Sequence, residues 1–132
     1  MLLTLAEAVA AVEAAQQKAR ELNIRISVAV CDGAGRLVAF QRMDGSGWGG
    51  VYGSIGKAIA SSAFRRPSGE INPDLAIVQG IMRNEGGHMI PHKGAVPIIR
   101  DGITIGACGV GGGTADQDEE CARAGVEAIG SD

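Results

Sequence analysis

The β-rich segments of this chain come in consecutive pairs, and this pairing constrains the fold more than any other feature of the sequence. Residues 24–30 and 37–43 are rich in apolar and β-branched side chains, and the turn-forming sequence Asp32-Gly33-Ala34-Gly35 lies between them. Residues 95–99 and 103–110 form a second such pair around Arg100-Asp101-Gly102. Two strands joined by a short turn predict a hairpin. The sheet is therefore predicted to be mainly antiparallel.

Helical periodicity precedes, separates and follows the two strand pairs. Thr4 and Glu7 form a predicted capping box at the start of the first helix, and Thr114 and Gln117 are placed in the same way before the last helix. The predicted helices cover residues 5–22, 51–64, 75–82 and 116–129. This order predicts one α+β domain over residues 1–132, with a sheet of about five strands and helices packed on its faces.

Charge and composition exclude two classes of protein. The formal net charge is −3 and the isoelectric point is about 5.3, whereas nucleic-acid binding requires a basic face that replaces counterions. The sequence at the N-terminus has no basic segment and reaches Glu7 at once, which predicts neither a signal peptide nor a membrane anchor. We therefore expect a cytoplasmic protein that binds neither nucleic acid nor membranes.

The three cysteines do not have the spacing of a metal site. Cys31 and Cys108 lie inside apolar runs, and Cys121 lies in the predicted last helix. An odd number of widely spaced cysteines in a cytoplasmic protein is typical of reduced thiols. We therefore expect buried, reduced thiols.

A set of short motifs in a fixed order resembles the GlcG/HbpS family, which is also described as haem-degrading or PduO C-terminal-like. The motifs span almost the whole chain. They are Leu3 to Ala8, Ser27 to Asp32, Gly35 to Phe40, Arg42-Met43-Asp44-Gly45, Lys57-Ala58, Arg66-Pro67-Ser68, Gly94 to Ile98, Ile105 to Val110 and Gly112-Gly113-Thr114. The resemblance implies a profilin-like or PAS-like sheet with helices on its faces, and it implies homo-oligomers.

The same resemblance implies several functions rather than one. Members are associated with binding haem or related tetrapyrroles, with glycolate or diol utilisation, and with modifying small metabolic intermediates. A haem-binding relative can use a histidine in its first helix as iron ligand. The first helix of this chain contains no histidine, so that ligand cannot be carried over.

Lys57 is the first candidate for chemistry. It is the sole charged residue between Asp44 and Arg65, and it follows a glycine-rich loop in a helix of small residues. Facing inward, it would serve as a base or as an anchor for a carboxylate. Facing outward, it would be an ordinary surface lysine. Asp118 matches a recurrent acidic position of the family and would orient such a base, or it would simply favour the helix dipole.

Three arginines extend the predicted cationic surface. Arg42, Arg65 and Arg66 would bind an anionic ligand through paired N–H donors. The alternative for Arg42 is an ion pair with Asp44, and the alternative for the other two is to close the end of the second helix.

The glycine-rich turn before the last helix is a candidate anion site. Backbone N–H groups of Gly112, Gly113 and Thr114 would bind an anion at the helix N-terminus, although a turn followed by a helix cap explains the same sequence. Trp48 and Tyr52 would form a flat platform for a ligand, or pack in the core or at an interface.

His88 and His92 are the candidate metal ligands. Pro91 lies between them and breaks the helical geometry that a shared metal would require, so they are predicted to lie in a loop. If haem binds, we expect iron ligation by one of these histidines or by an oxygen ligand.

Three functions are compatible with these residues. The first is a protein that binds a small anionic organic ligand, with haem or a related tetrapyrrole as the expected ligand. The second is a cofactor-independent enzyme acting on a small oxygenated acid or carbonyl compound, with Lys57 as base or anchor. The third is a noncatalytic structural oligomer. We expect a homo-oligomer in each case, because the chain is short and its apolar fraction is 45%.

Overall fold

The computed structural model describes residues 2–132, and it confirms the predicted order of helices and strands. The elements are α1 (Leu5–Glu21), β1 (Ser27–Asp32), β2 (Leu37–Arg42), α2 (Gly49–Phe64), α3 (Ala76–Asn84), β3 (Ala95–Arg100), β4 (Ile103–Gly111) and α4 (Ala115–Ala128), with a 3-10 turn at Ser68–Glu70. Both predicted capping boxes are present, at Thr4 with Glu7 and at Thr114 with Gln117. No helix in this part of the chain is both long and apolar enough to cross a bilayer.

The four strands form one antiparallel sheet in the order β2-β1-β4-β3. The fold is α+β as predicted, but the expectation of about five strands is wrong. The segment between α3 and β3 contains no strand, because Gly86 and Gly87 adopt positive φ and Pro91 cannot donate to a ladder.

Helices cover both faces of the sheet. Val28 and Val30 of β1 point to the face that packs against α1 and α4, whereas Ala29 and Cys31 point to the face that packs against Ala58 of α2. Most of the buried side chains in these layers are small. The helices therefore lie close to the sheet, and backbone atoms come into direct contact.

Two glycines of β4 allow α2 to lie against the sheet at backbone distance. A Cβ atom built at Gly109 would lie 2.2 Å from the Ser54 carbonyl oxygen, and one at Gly111 would lie 2.8 Å from the Gly50 carbonyl oxygen. These contacts leave no room for a side chain under the N-terminal half of α2. They hold α2 so that Lys57 points toward the end of β4.

All three cysteines are free and buried, as the sequence predicts. Burial raises the pKa of the Cys31 and Cys108 thiols to about 12 and that of Cys121 to about 11. Because the thiolate is the reactive form, none of the thiols is activated for chemistry.

We expect the folded protein to resist thiol-labelling reagents at pH 8, and all three cysteines to react once the chain is unfolded in guanidinium. Absorbance of the released thiol chromophore measures both states in one sample. Rapid labelling of any cysteine without denaturant would contradict the assignment of three inert core thiols.

Candidate ligand site

The buried ion pair between Lys57 and Asp118 is the most unusual polar feature of the described chain. Lys57 is 7% exposed and Asp118 is 3% exposed. The Lys57 Nζ atom lies 3.2 Å from Asp118 Oδ2 and donates to the Val110 carbonyl oxygen at 3.0 Å. α2, β4 and α4 therefore meet at one charged point in a core of small apolar residues.

The turn before α4 holds the Asp118 carboxylate in place. Its Oδ1 atom accepts a hydrogen bond from the Gly113 N–H at 2.8 Å. Burial is the largest influence on Asp118 and raises its pKa, while the Gly113 N–H, Lys57 and His92 act in the opposite direction. The carboxylate thus depends on these donors and charges to remain ionised.

Gly94 closes the other side of the ion pair. Its φ is +143°, and a Cβ atom there would lie 2.7 Å from Lys57 Nζ and 2.9 Å from the Val110 carbonyl oxygen. Any side chain at this position would displace the ammonium group. Together, Gly94 and Gly113 define the space that Lys57 and Asp118 occupy.

A stripe of two glycines leads along α2 to Lys57. A Cβ atom at Gly49 would meet no atom within 4 Å, and one at Gly53 would meet only Lys57 Cε, at 4.0 Å. Residues four apart lie on one face of a helix, so Gly49, Gly53 and Lys57 follow each other on this face. We call the open surface over Gly49 and Gly53 the glycine stripe.

Two exposed aromatic residues lie next to the glycine stripe. Trp48 is 70% exposed and Tyr52 is 67% exposed. Their ring centroids are 6.1 Å apart with an interplanar angle of 81°, so they form an edge-to-face pair rather than one flat platform. Neither is a core residue, so of the predicted alternatives a ligand contact and packing at an interface stay open.

A family model described as haem degrading protein HbpS-like matches residues 3–127. The chain belongs to the HbpS-like family. This confirms the GlcG/HbpS resemblance noted in the sequence.

Relatives of the HbpS-like chain extend over most of its length. It is 30% identical over 128 residues to an uncharacterized 15.0 kDa protein of the dhaT-dhaS intergenic region of Citrobacter freundii. The aligned region covers 95% of this chain and 90% of that protein. It is 31% identical over 115 residues to protein GlcG of Escherichia coli. The aligned region covers 83% of this chain and 81% of GlcG.

Two solved structures share the fold of the HbpS-like chain. HbpS of Streptomyces reticuli, as a double mutant, matches with a TM-score of 0.87 and 30% identity over 98% of this chain and 88% of that one. The crystal structure of a PduOC–haem complex matches with a TM-score of 0.88 and 24% identity over 100% of this chain and 98% of that one.

Two of the three predicted arginines of the HbpS-like chain donate to neighbouring carbonyl groups, and the third ends α2. The Arg42 guanidinium donates to the Ser46 carbonyl oxygen at 2.7 Å rather than pairing with Asp44. Arg65 ends α2 with φ of 57°, and Arg66 donates to the Phe64 carbonyl oxygen at 3.3 Å. Since Arg65 is eight residues beyond Lys57, it lies about 12 Å farther along the helix axis.

The glycine-rich turn of this HbpS-like chain uses its N–H groups internally. The Gly113 N–H donates to Asp118, and the Thr114 N–H donates to Gln117 Oε1 at 3.0 Å. Gly112 has φ of +131°, and a Cβ atom there would lie 2.5 Å from the Arg25 carbonyl oxygen. In the structure, the turn therefore orients Asp118.

The two histidines of the HbpS-like chain lie in the loop that the sequence predicts, and both are exposed. Residues 90–92 dock on α2 through the Ile90 N–H, which donates to the Gly56 carbonyl oxygen at 3.0 Å. His92 is thereby close enough to act on the charge of Asp118. Within residues 2–132, no group of three or more His, Cys, Asp or Glu side chains is arranged to hold a metal ion.

Two participants of this site cannot be identified from the sequence of the HbpS-like chain. Gly94 stands there only as part of a family motif, and a backbone acceptor such as the Val110 carbonyl has no signature in the sequence. A lone charge in a run of small residues was the signal that identified Lys57, and it could not reveal which carbonyl group that charge would meet.

Proposed function

We propose that this protein binds a small anionic organic ligand over the glycine stripe, with haem as the leading ligand. The observation that carries the proposal is the Lys57 ammonium group, which is buried at the end of an otherwise open strip of helix surface. Two of its three N–H donors are used by Val110 and Asp118. A carboxylate on the ligand would take the third.

A haem molecule suits the chemistry beside Lys57. Its macrocycle is flat and apolar and would stack on the face of one exposed ring, Trp48 or Tyr52, while meeting the other ring at its edge, because the two ring planes are 81° apart. Its propionates are anionic and would be drawn toward the ammonium of Lys57. Support from relatives comes from the description of the family and from PduOC, a protein of the same fold that was solved as a haem complex.

Iron ligation in this chain would come from the loop before β3. α1 contains no histidine, whereas His92 follows the segment that docks on α2. His92 is therefore our candidate iron ligand. His88 lies on the far side of Pro91 and serves as the comparison residue.

Titration of the purified protein with haemin tests this proposal. We expect a saturable Soret shift at one haem per chain, and a His92→Ala variant to lose the ligand-field features of the spectrum while the His88→Ala variant keeps them. An unchanged spectrum and affinity in the double variant would show that neither histidine binds iron. The absence of any Soret shift in the parent protein would overturn the haem proposal.

A second candidate function is cofactor-independent proton transfer on a small oxygenated acid or carbonyl compound. The observation that favours it is the raised pKa of Asp118 beside Lys57, since paired groups with altered proton affinity are typical of acid–base sites. Solvent-deuterium exchange into small 2-hydroxy and 2-oxo acids, followed by NMR, tests it. If the Lys57→Arg variant still binds the acid but no longer catalyses deuterium exchange, that result would favour this function over a carrier role.

A further inference from the structure

A second polar pocket lies where the C-terminal half of α1 meets the end of β2. Its volume is about 340 Å³, and it is lined by Gln16, Arg20, Arg25, Arg42, Met43 and Asp44. It shares no lining residue with the glycine stripe or with the ion pair of Lys57 and Asp118. We call it the arginine pocket.

The three arginines of this pocket are held by neutral oxygen atoms. Arg20 donates through Nε and Nη2 to Gln17 Oε1, at 3.3 and 3.0 Å. Arg25 donates through Nη1 to the Asp44 carbonyl oxygen at 2.9 Å, and Arg42 donates through Nε and Nη2 to a backbone carbonyl oxygen. A neutral acceptor orients a guanidinium group without cancelling its charge. The three side chains are therefore positioned while their positive charges remain.

The turn after β2 packs directly against the Arg25 side chain. Gly45 has φ of +81°, and a Cβ atom there would lie 3.1 Å from Arg25 Cδ and 3.3 Å from Nη1. A larger residue would strain the backbone and press on the guanidinium group. Gly45 thus leaves the space that Arg25 occupies at the pocket.

The charge of the arginine pocket is not balanced within the described chain. Among residues 2–132, no carboxylate lies within ion-pair distance of its three guanidinium groups, whereas Arg36, Arg100 and Arg123 each pair with a glutamate. Three arginines and one aspartate give the lining a formal charge of +2, although the chain as a whole carries −3. Since like charges around one pocket repel, an anion bound there would be stabilising.

We infer that the arginine pocket binds a phosphate group, either free or on a small phosphate ester. Near neutral pH, a phosphate monoester carries up to two negative charges and three acceptor oxygens, which match the charge of the lining and its three guanidinium groups. A monocarboxylate offers one charge and two oxygens. Each guanidinium has five N–H donors and uses at most two of them here. The remaining donors suit the paired bonds that arginine forms with phosphate.

The size of the pocket also limits the ligand. A volume of about 340 Å³ is near the lower end for small-molecule sites. It accommodates a phosphate group with a short carbon chain, which would pack beside the half-buried Met43.

Calorimetric titration of the purified protein with inorganic phosphate and with glycerol 3-phosphate, at constant ionic strength, tests the inference. We expect saturable binding of one phosphate group per chain and no saturable binding of acetate at the same concentrations. Arg25→Gln should weaken phosphate binding about tenfold, the cost of losing a charge-assisted hydrogen bond. Arg20→Gln, on the exposed surface of α1, should weaken it similarly and tests the pocket even if Arg25→Gln fails to fold.

Arg83→Gln is the matched control, because Arg83 is exposed on α3 and its replacement removes the same charge outside the pocket. We expect this variant to bind phosphate as the parent protein does. Equal weakening in Arg20→Gln and Arg83→Gln would show that only the net charge of the chain matters, and would overturn the inference. So would the absence of saturable binding of both phosphate compounds, or equal binding of acetate.

Discussion

Replacing Lys57 with methionine is expected to lower the free energy of unfolding by about 3–5 kcal/mol, because Asp118 is then left buried without its cation. Methionine has a similar volume, so the loss reports the missing charge rather than a cavity. Urea denaturation monitored by circular dichroism measures it. The loss should be smaller at pH 5 than at pH 8. A buried acid with a raised pKa favours the folded state at low pH, and that contribution disappears as the pH rises through the folded-state pKa.

The matched controls are Asp118→Asn and the double variant Lys57→Met, Asp118→Asn. The asparagine can still accept from the Gly113 N–H, and the double variant removes both charges. We expect each single variant to be strongly destabilised and the double variant to recover much of the loss, which is the signature of a coupled pair. Additive losses in the cycle would show that Lys57 and Asp118 act independently.

The ion pair changes what removal of Lys57 is expected to do. A lysine that served only as a ligand anchor could be removed with a loss of binding and little loss of fold. The ion pair instead makes Lys57 part of the core, so Lys57→Ala is expected to lose both. Binding experiments at this position therefore need the double variant, or Lys57→Arg, as the folded reference.

The substitution Gly109→Ala is expected to destabilise the protein by about 3 kcal/mol, near the upper end of the usual cost of overpacking. The added methyl would lie 2.2 Å from the Ser54 carbonyl oxygen and 2.8 Å from the Ala58 nitrogen. Both contacts are backbone atoms of α2, so relief requires the whole helix to move. The midpoint of thermal unfolding should fall accordingly.

Gly80→Ala is the control for that substitution. Gly80 lies inside α3, and an added Cβ would meet no atom within 4 Å. Alanine is the better helix former, so this variant should gain up to about 1 kcal/mol. Equal stability of the Gly109→Ala variant and the parent protein would mean that α2 does not lie against β4 at backbone distance.

Most of the fold could be predicted from local patterns in the sequence. The capping boxes, the two hairpins and the helical periodicity each depend on residues a few positions apart, and all were predicted. The number of strands was not, because the segment around Gly86 and Gly87 has no periodicity and its positive φ values are decided by the loop it forms. Helix ends differed from prediction by one or two residues.

The candidate site was predicted less completely, because it depends on contacts between distant segments. Lys57 and Asp118 were both selected, yet their bond joins residues 61 positions apart, which no local pattern encodes. The arginines show the same limit. Their charge predicts a ligand contact, which stays a prediction, and the sequence does not reveal that Arg42 and Arg66 donate to carbonyl groups close by.

The contrast between the two sides of α2 has an evolutionary consequence. Toward the sheet, Gly109 and Gly94 meet backbone atoms or the Lys57 side chain and tolerate no added atom, whereas Trp48 and Tyr52 are exposed and constrained by little else. Selection can therefore exchange the aromatic pair for other side chains without disturbing the architecture beneath it. If a ligand lies over the glycine stripe, as proposed, substitutions of this pair would change which molecule is recognised while the buried ion pair beneath it stays intact.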